Sequence, residues 1–241
     1  MIRSRRGLGV LGLCAVVLGL VVLGTSGVQA EKGANWKVKG ENVTAGLLPE
    51  VLLKEVVMKD MTLLTKVLGF KVELLCQKAQ FIGAKLETEG KVSAGNKTKF
   101  EECLMKLNGT VSAACEPHTG KEKGAFVSNA LKGLLVLHEL VDGTKDTLIL
   151  FEPVEGTAFV TIELGEECAI GGTCTVFGKS TVKDAKNEFG VEAVEHMVEQ
   201  GPLSVLWVNS NTAEHAATID GSATLALTGV HKGLKWSGVP G

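Results

Sequence analysis

Turn dipeptides recur at short intervals through this chain, and the stretches between them alternate apolar and polar residues. Gly95-Asn96, Asn108-Gly109, Asp142-Gly143, Glu155-Gly156, Gly171-Gly172 and Asp220-Gly221 each sit between apolar stretches. Most are pairs that favour hairpins, because Gly and Asn reach positive φ at little steric cost. Phe70-Lys71-Val72-Glu73-Leu74 alternates apolar and charged residues, and Cys76 continues its apolar face. Ile82, Ala84 and Leu86 alternate with Lys85 and Glu87, and Ala158, Val160, Ile162 and Leu164 line another face. A period of two puts one side of each segment in a core and the other in water. The expected fold is therefore all-β, an antiparallel sandwich or barrel of many short strands joined by hairpins.

Two segments fit that pattern less simply. Residues 49–64 place Leu53, Val57, Met61 and Leu64 on one helical stripe, yet Val56-Val57 and the neighbouring strands favour a strand, which is the reading adopted. Residues 189–200 are Glu-rich as a helix would be, while Val194, His196 and Val198 alternate as a strand would, and both readings stay open. No long linker or low-complexity tract interrupts the chain, so residues 31–241 are read as a single all-β domain.

The three arginines are Arg3, Arg5 and Arg6; beyond them, 22 lysines face 27 acidic residues, a net of −5. A chain without Arg lacks the planar fork used on phosphates, and its negative balance is the wrong footprint for nucleic acid. Met1–Arg6 is basic, Gly7–Gly24 is an unbroken apolar run, and Val28-Gln29-Ala30 supplies small residues ahead of a break before Glu31. That is the three-part pattern of a secretory signal peptide, residues 1–30. The rival reading, a membrane anchor, is weakened by the glycines inside the run and by the lack of a basic flank after it. The expected location is secreted or extracellular, with no membrane span in the mature chain.

Export places Cys76, Cys103, Cys115, Cys168 and Cys174 in an oxidising compartment. Five cysteines allow two bridges and one thiol, with connectivity that spacing alone does not determine. The pairs nominated are Cys168 with Cys174, across a Gly-Gly turn, and Cys103 with Cys115, across Asn108-Gly109. No CxxC pair points to zinc instead.

Leu63–Cys76, the segment Gly165–Gly172, and the ending from Thr212–Ala217 through Gly233–Gly238 resemble a group of uncharacterised secreted bacterial proteins. The resemblance implies export and a β-rich domain. It brings no activity and no functional residue.

Catalytic and nucleotide-binding signatures are missing: no GxSxG, HExxH, GxxxxGK[ST] or GxGxxG after a strand. Glu is plentiful, which leaves a glycosidase pair open, but three Trp, eight Phe and no Tyr offer few sugar platforms. The histidines, His118, His138, His196, His215 and His231, are the remaining candidates. Glu192, His196 and Glu199 would share a face only if their segment were helical, and only then could they hold a metal. The reading preferred is a satisfied or solvated histidine, with no metal and no cofactor. Leu203–Asn209 and Thr212–Ile219 read as a hairpin with Ser210-Asn211 at its tip. That register faces Val208 with Ala213 and Leu206 with His215, and puts Glu214 and His215 on opposite sides. His215 is thus expected among aliphatic neighbours as a core or buried polar residue. Lys91, Lys97 and Lys99 read as charges that keep strand edges from pairing. Asn42, Asn96 and Asn108 begin Asn-x-Thr sequons.

Three functional readings follow. The first is an exported, non-catalytic β domain with a binding or structural role at or outside the cell surface, its partner a cell-envelope component or a small molecule. The second is a secreted hydrolase built from Glu and His on separate strands. The third is a small barrel that carries an apolar ligand. A pocket of converging Glu and His would favour the enzyme, a dry Val, Leu and Phe cavity the carrier, and a filled interior the structural role.

Overall fold

The strands form a ring. The computed structural model describes residues 34–56, 61–139, 143, 145–210 and 213–239; the expected signal peptide lies outside them. Eight staves follow one another in chain order, a stave being one strand or two successive strands that run along the same neighbours. The first is Val51–Val56 with Met61–Val67, the second Phe70–Ile82, the third Lys91–Leu107, and the fourth Phe126–Val127 with Leu131–Glu139. The fifth is Lys145–Pro153 with Ala158–Glu163, and the sixth is Thr173–Asp184. The seventh is Glu195–Gln200 with Val205–Ser210, and the eighth Ala213–Asp220 with Ser222–Leu227. Each pairs antiparallel with the next. The eighth returns to the first, through Thr218↔Leu64 and Leu225↔Leu53 among others. Of the two all-β architectures expected, this is the barrel, closed and up-and-down.

Alternation along the staves fills the interior. In Phe70–Ile82, Val72, Leu74 and Cys76 are buried while Lys71 is exposed; in Ala158–Glu163, Val160 and Ile162 are buried and Thr161 and Glu163 exposed. The outward positions carry ion pairs such as Lys71–Glu73, Lys132–Glu152 and Lys183–Glu199. Charges there are the opposite of the apolar band a barrel presents to lipid. Neither ambiguous segment is helical where described: the first holds Val51–Val56 and the start of Met61–Val67, and the second is turn, bend and an isolated bridge over 189–194 followed by the strand Glu195–Gln200.

Three of the turn signals reverse nothing. Gly95-Asn96 lies inside the 17-residue strand Lys91–Leu107, where pairing with Leu131–Glu139 shifts register. Glu155-Gly156 and Asp220-Gly221 mark jogs within the fifth and eighth staves. A barrel wall must bend, and Gly or a bulge supplies the bend without ending the stave. Asn108-Gly109 does close a tight reversal, with φ of 51° and 83° and Leu107 opposite Thr110. In a closed ring, Lys91, Lys97 and Lys99 guard no edge; Lys99 binds Glu101 and Glu122 instead.

The barrel is stoppered at the end where the first stave starts. Asn35–Val38 pairs with Trp236–Val239 and with Glu41–Asn42, so the two ends of the described chain make one small sheet. Gly238 fits only because it has no side chain: a Cβ there would stand 2.7 Å from Leu135. At the other end a disulfide, Cys115–Cys168, ties the segment after the third stave to the one after the fifth. The second bridge is Cys76–Cys103, directly across the second and third staves, and Cys174 is free and buried. Neither nominated pair forms. The register sets Cys76 opposite Cys103 and Cys174 opposite Ile162 in the wall, while Cys168 in the loop is bonded to Cys115. The two disulfides suggest an oxidising, extracellular setting, and among the described residues no helix is long and apolar enough to cross a membrane.

Candidate functional site

Inward-facing residues of the middle staves leave space. A chamber of about 90 Å³ is walled by large apolar groups, among them Leu53, Phe81, Phe100, Phe151, Phe159 and Leu225. A deeper cavity of about 40 Å³ adjoins it, sharing Met61, Phe100, Phe159 and Ile219, and its lining is apolar throughout. The larger chamber reaches the surface where the eighth stave jogs, beside exposed Asp220 and half-buried Gly221 and Met61. Gly221 has φ of 149°, and a Cβ there would stand 3.1 Å from Met61. The space is smaller than the roughly 300–1,000 Å³ of drug-sized sites but approaches the roughly 150 Å³ of an apolar cavity that holds benzene.

Polar groups break the apolar wall on two sides. On the sixth and seventh staves, Ser180 Oγ donates to Gln200 Oε1 (3.3 Å), and Gln200 Nε2 donates to the Thr181 carbonyl (2.9 Å) and to Ser204 Oγ. That amide is committed to its neighbours. On the third stave Thr98 also lines the chamber and is 8% exposed. Its backbone N–H is taken by Ser128 Oγ (2.8 Å), while its own hydroxyl makes no hydrogen bond among the described residues and, unlike Asn96 Oδ1, is not sealed from solvent. None of these residues was singled out from sequence. The signal was present in Asn96, Thr98 and Phe100, which share the inward parity of one strand. Asn96 is buried, with Nδ2 donating to the Ser93 and Leu131 carbonyls, so its sequon is closed to a glycan.

The histidines lie elsewhere and do not converge. His118 is part-buried, with Nε2 donating to the Leu164 carbonyl (3.2 Å) and Nδ1 3.3 Å from Glu163. His138 stands opposite Asp146 on the outer wall and His231 is in a 3-10 turn, Gly229–His231. His215 faces Val208 and is half-buried. The hairpin expected there exists, but its tip is one residue further on, with Ser210 opposite Ala213. The slip changes partners and preserves faces: Leu206, Val208 and Ala217 are buried, Glu214 and Ala216 exposed.

His196 is the most enclosed of the five. It points into the stoppered end with its side chain 0% exposed. Nε2 donates to the Trp236 carbonyl (2.6 Å), and Nδ1 is 2.6 Å from Asp184 Oδ2, whose side chain is 2% exposed. The ring stacks on Phe189 (5.3 Å) and meets the edge of Trp236 (4.6 Å), and Trp36 packs on both Phe189 and Trp236. Each indole is also satisfied, Trp36 Nε1 by the Lys91 carbonyl and Trp236 Nε1 by the Val194 carbonyl. Substrate has no path to this pair; it holds the stopper. Glu192, His196 and Glu199 are not brought together: Glu192 precedes the strand Glu195–Gln200, and Glu199 points outward to Lys183. No cluster of three or more potential metal ligands occurs among the described residues.

Burial pushes the Cys174 thiol up from 9.0 to about 11. The unfolded thiol therefore ionises first as pH rises, so a contribution to stability that is intact below pH 9 is lost as the pH climbs to about 11. The expected loss is about 2–3 kcal/mol, and Cys174→Ala should remove this part of the alkaline decline in denaturant midpoint. An alkaline decline identical in both proteins would show that Cys174 is not responsible.

No family model, curated protein or solved structure matches the chain.

Proposed function

We propose that the protein is an exported, non-catalytic binding barrel for a small, mainly apolar molecule. The observation that carries this is the Leu- and Phe-walled chamber inside the closed wall, open at the jog of the eighth stave. A barrel with a purely structural role gains from a filled interior, since each void forfeits packing contacts. Hydrolysis is poorly supported, because the buried His196–Asp184 pair is sealed under Trp36 and Trp236. The two disulfides support the export half of the reading.

Benzene is the first probe. It should raise the thermal midpoint of the native protein in a concentration-dependent way, as any ligand selective for the folded state does. Ala223→Phe, which fills the chamber from the eighth stave, should abolish that response. No response of the unmodified protein to benzene would reject the reading. For export, mass spectrometry of protein from the culture medium should find Glu31 as the first residue; Met1 retained on membrane-bound protein would show an anchor instead.

A further inference from the structure

Resting on that reading, we infer that the ligand is an uncharged amphiphile of about the size of benzene or hexanol, its single polar group held by the Thr98 hydroxyl. Thr98 is nine-tenths buried, lines the chamber and spends its hydroxyl on nothing among the described residues. The hydroxyl is not sealed off as Asn96 Oδ1 is, so it is open to a molecule seated in the chamber. A ligand alcohol, ketone or amide supplies the missing partner, since a hydroxyl both donates and accepts. The competing polar site is taken: Gln200 is bound by Ser180, Thr181 and Ser204.

Charge selects against ionic heads. Among the described residues that line the chamber and the deeper cavity, none is Lys, Arg or His. A carboxylate drawn in beside Thr98 would leave water with no cation to meet it. The acids Glu199 and Asp220 stand at the surface end, Glu199 held 3.0 Å from Lys183 on the outer face. An ammonium would have to leave these acids behind to seat its chain among Phe100, Phe151 and Phe159. The apolar cavity beyond Phe100 and Phe159 gives the chain somewhere to go.

Calorimetric titration at neutral pH with n-hexanol, hexanoate, hexylammonium and benzene tests this on the native protein. Hexanol should bind, with hexanoate and hexylammonium at least about tenfold weaker. Thr98→Val keeps the shape and removes the hydroxyl. It should weaken hexanol by about two- to tenfold and leave benzene unchanged. An ion that binds as well as hexanol overturns the uncharged head while the chamber stands. Hexanol binding unaltered in Thr98→Val overturns the role of Thr98. If neither hexanol nor benzene binds, the chamber reading itself fails.

Discussion

Replacing His196 with Ala should lower the stability of this protein by about 3–5 kcal/mol, the range for deleting a large, fully buried ring together with its hydrogen bonds. The Asp184 carboxylate would keep the backbone N–H groups of Asn187 (2.5 Å) and Lys186 (3.3 Å) but lose the imidazole, and the Trp236 carbonyl would lose the shorter of its two hydrogen bonds, keeping the Ala193 N–H (3.2 Å). A void would open between Phe189 and Trp236. In a chain of this size the thermal midpoint should fall by on the order of 10 °C. Because the pair acts as a unit, Asp184→Ala with His196→Ala should cost less than the two single losses added together. Strict additivity, or a loss under about 1 kcal/mol for His196→Ala, would show that the contact does not hold the stopper.

The second large effect is expected from the disulfides. Cys115–Cys168 closes 53 residues and Cys76–Cys103 closes 27. By chain entropy in the unfolded state these contribute about 4 and about 3.5 kcal/mol. Replacing both cysteines of either bridge by Ala should shift the urea midpoint accordingly, whereas Cys174→Ala should lose only about 1 kcal/mol, a small-volume change in a packed interior. Thiol counting on denatured protein lacking residues 1–30 should find one equivalent per chain, from Cys174, which in the native protein is buried. Five equivalents would mean that neither bridge exists.

How much of this was legible in the residues differs from element to element. The alternation at Val72, Leu74 and Cys76 predicted their burial, and the hairpin around residues 205–219 kept its faces despite a tip one residue away from expectation. The reversal at Leu68-Gly69 was signalled only by its glycine (φ 85°), since Leu68 adopts φ of 50°, where Leu is rarely found. Gly95, Gly156 and Gly221 read as ends of short strands when they are bends in long ones. Local sequence reports that the backbone must depart from regular strand; it does not report whether the chain then continues or turns back.

The cysteines and the chamber show where local information stops. Cys76 and Cys103 meet because two staves share one register from Val72 to Ile82, a sum of many pairings that no spacing rule contains. Thr98 gained its meaning from facing Ser180 and Gln200 across a ring whose closure joins the first stave to the eighth. Side-chain parity, turn chemistry, charge balance and the export pattern act within a few residues of one another, so the sequence by itself determined an antiparallel β chain with a stripe of inward apolar groups. Whether that stripe curled into a barrel or stacked as a sandwich, which cysteines bonded, and what space was left inside depended on contacts between residues far apart in the chain. Only the tertiary structure decided them, because closure and register are properties of all eight staves together.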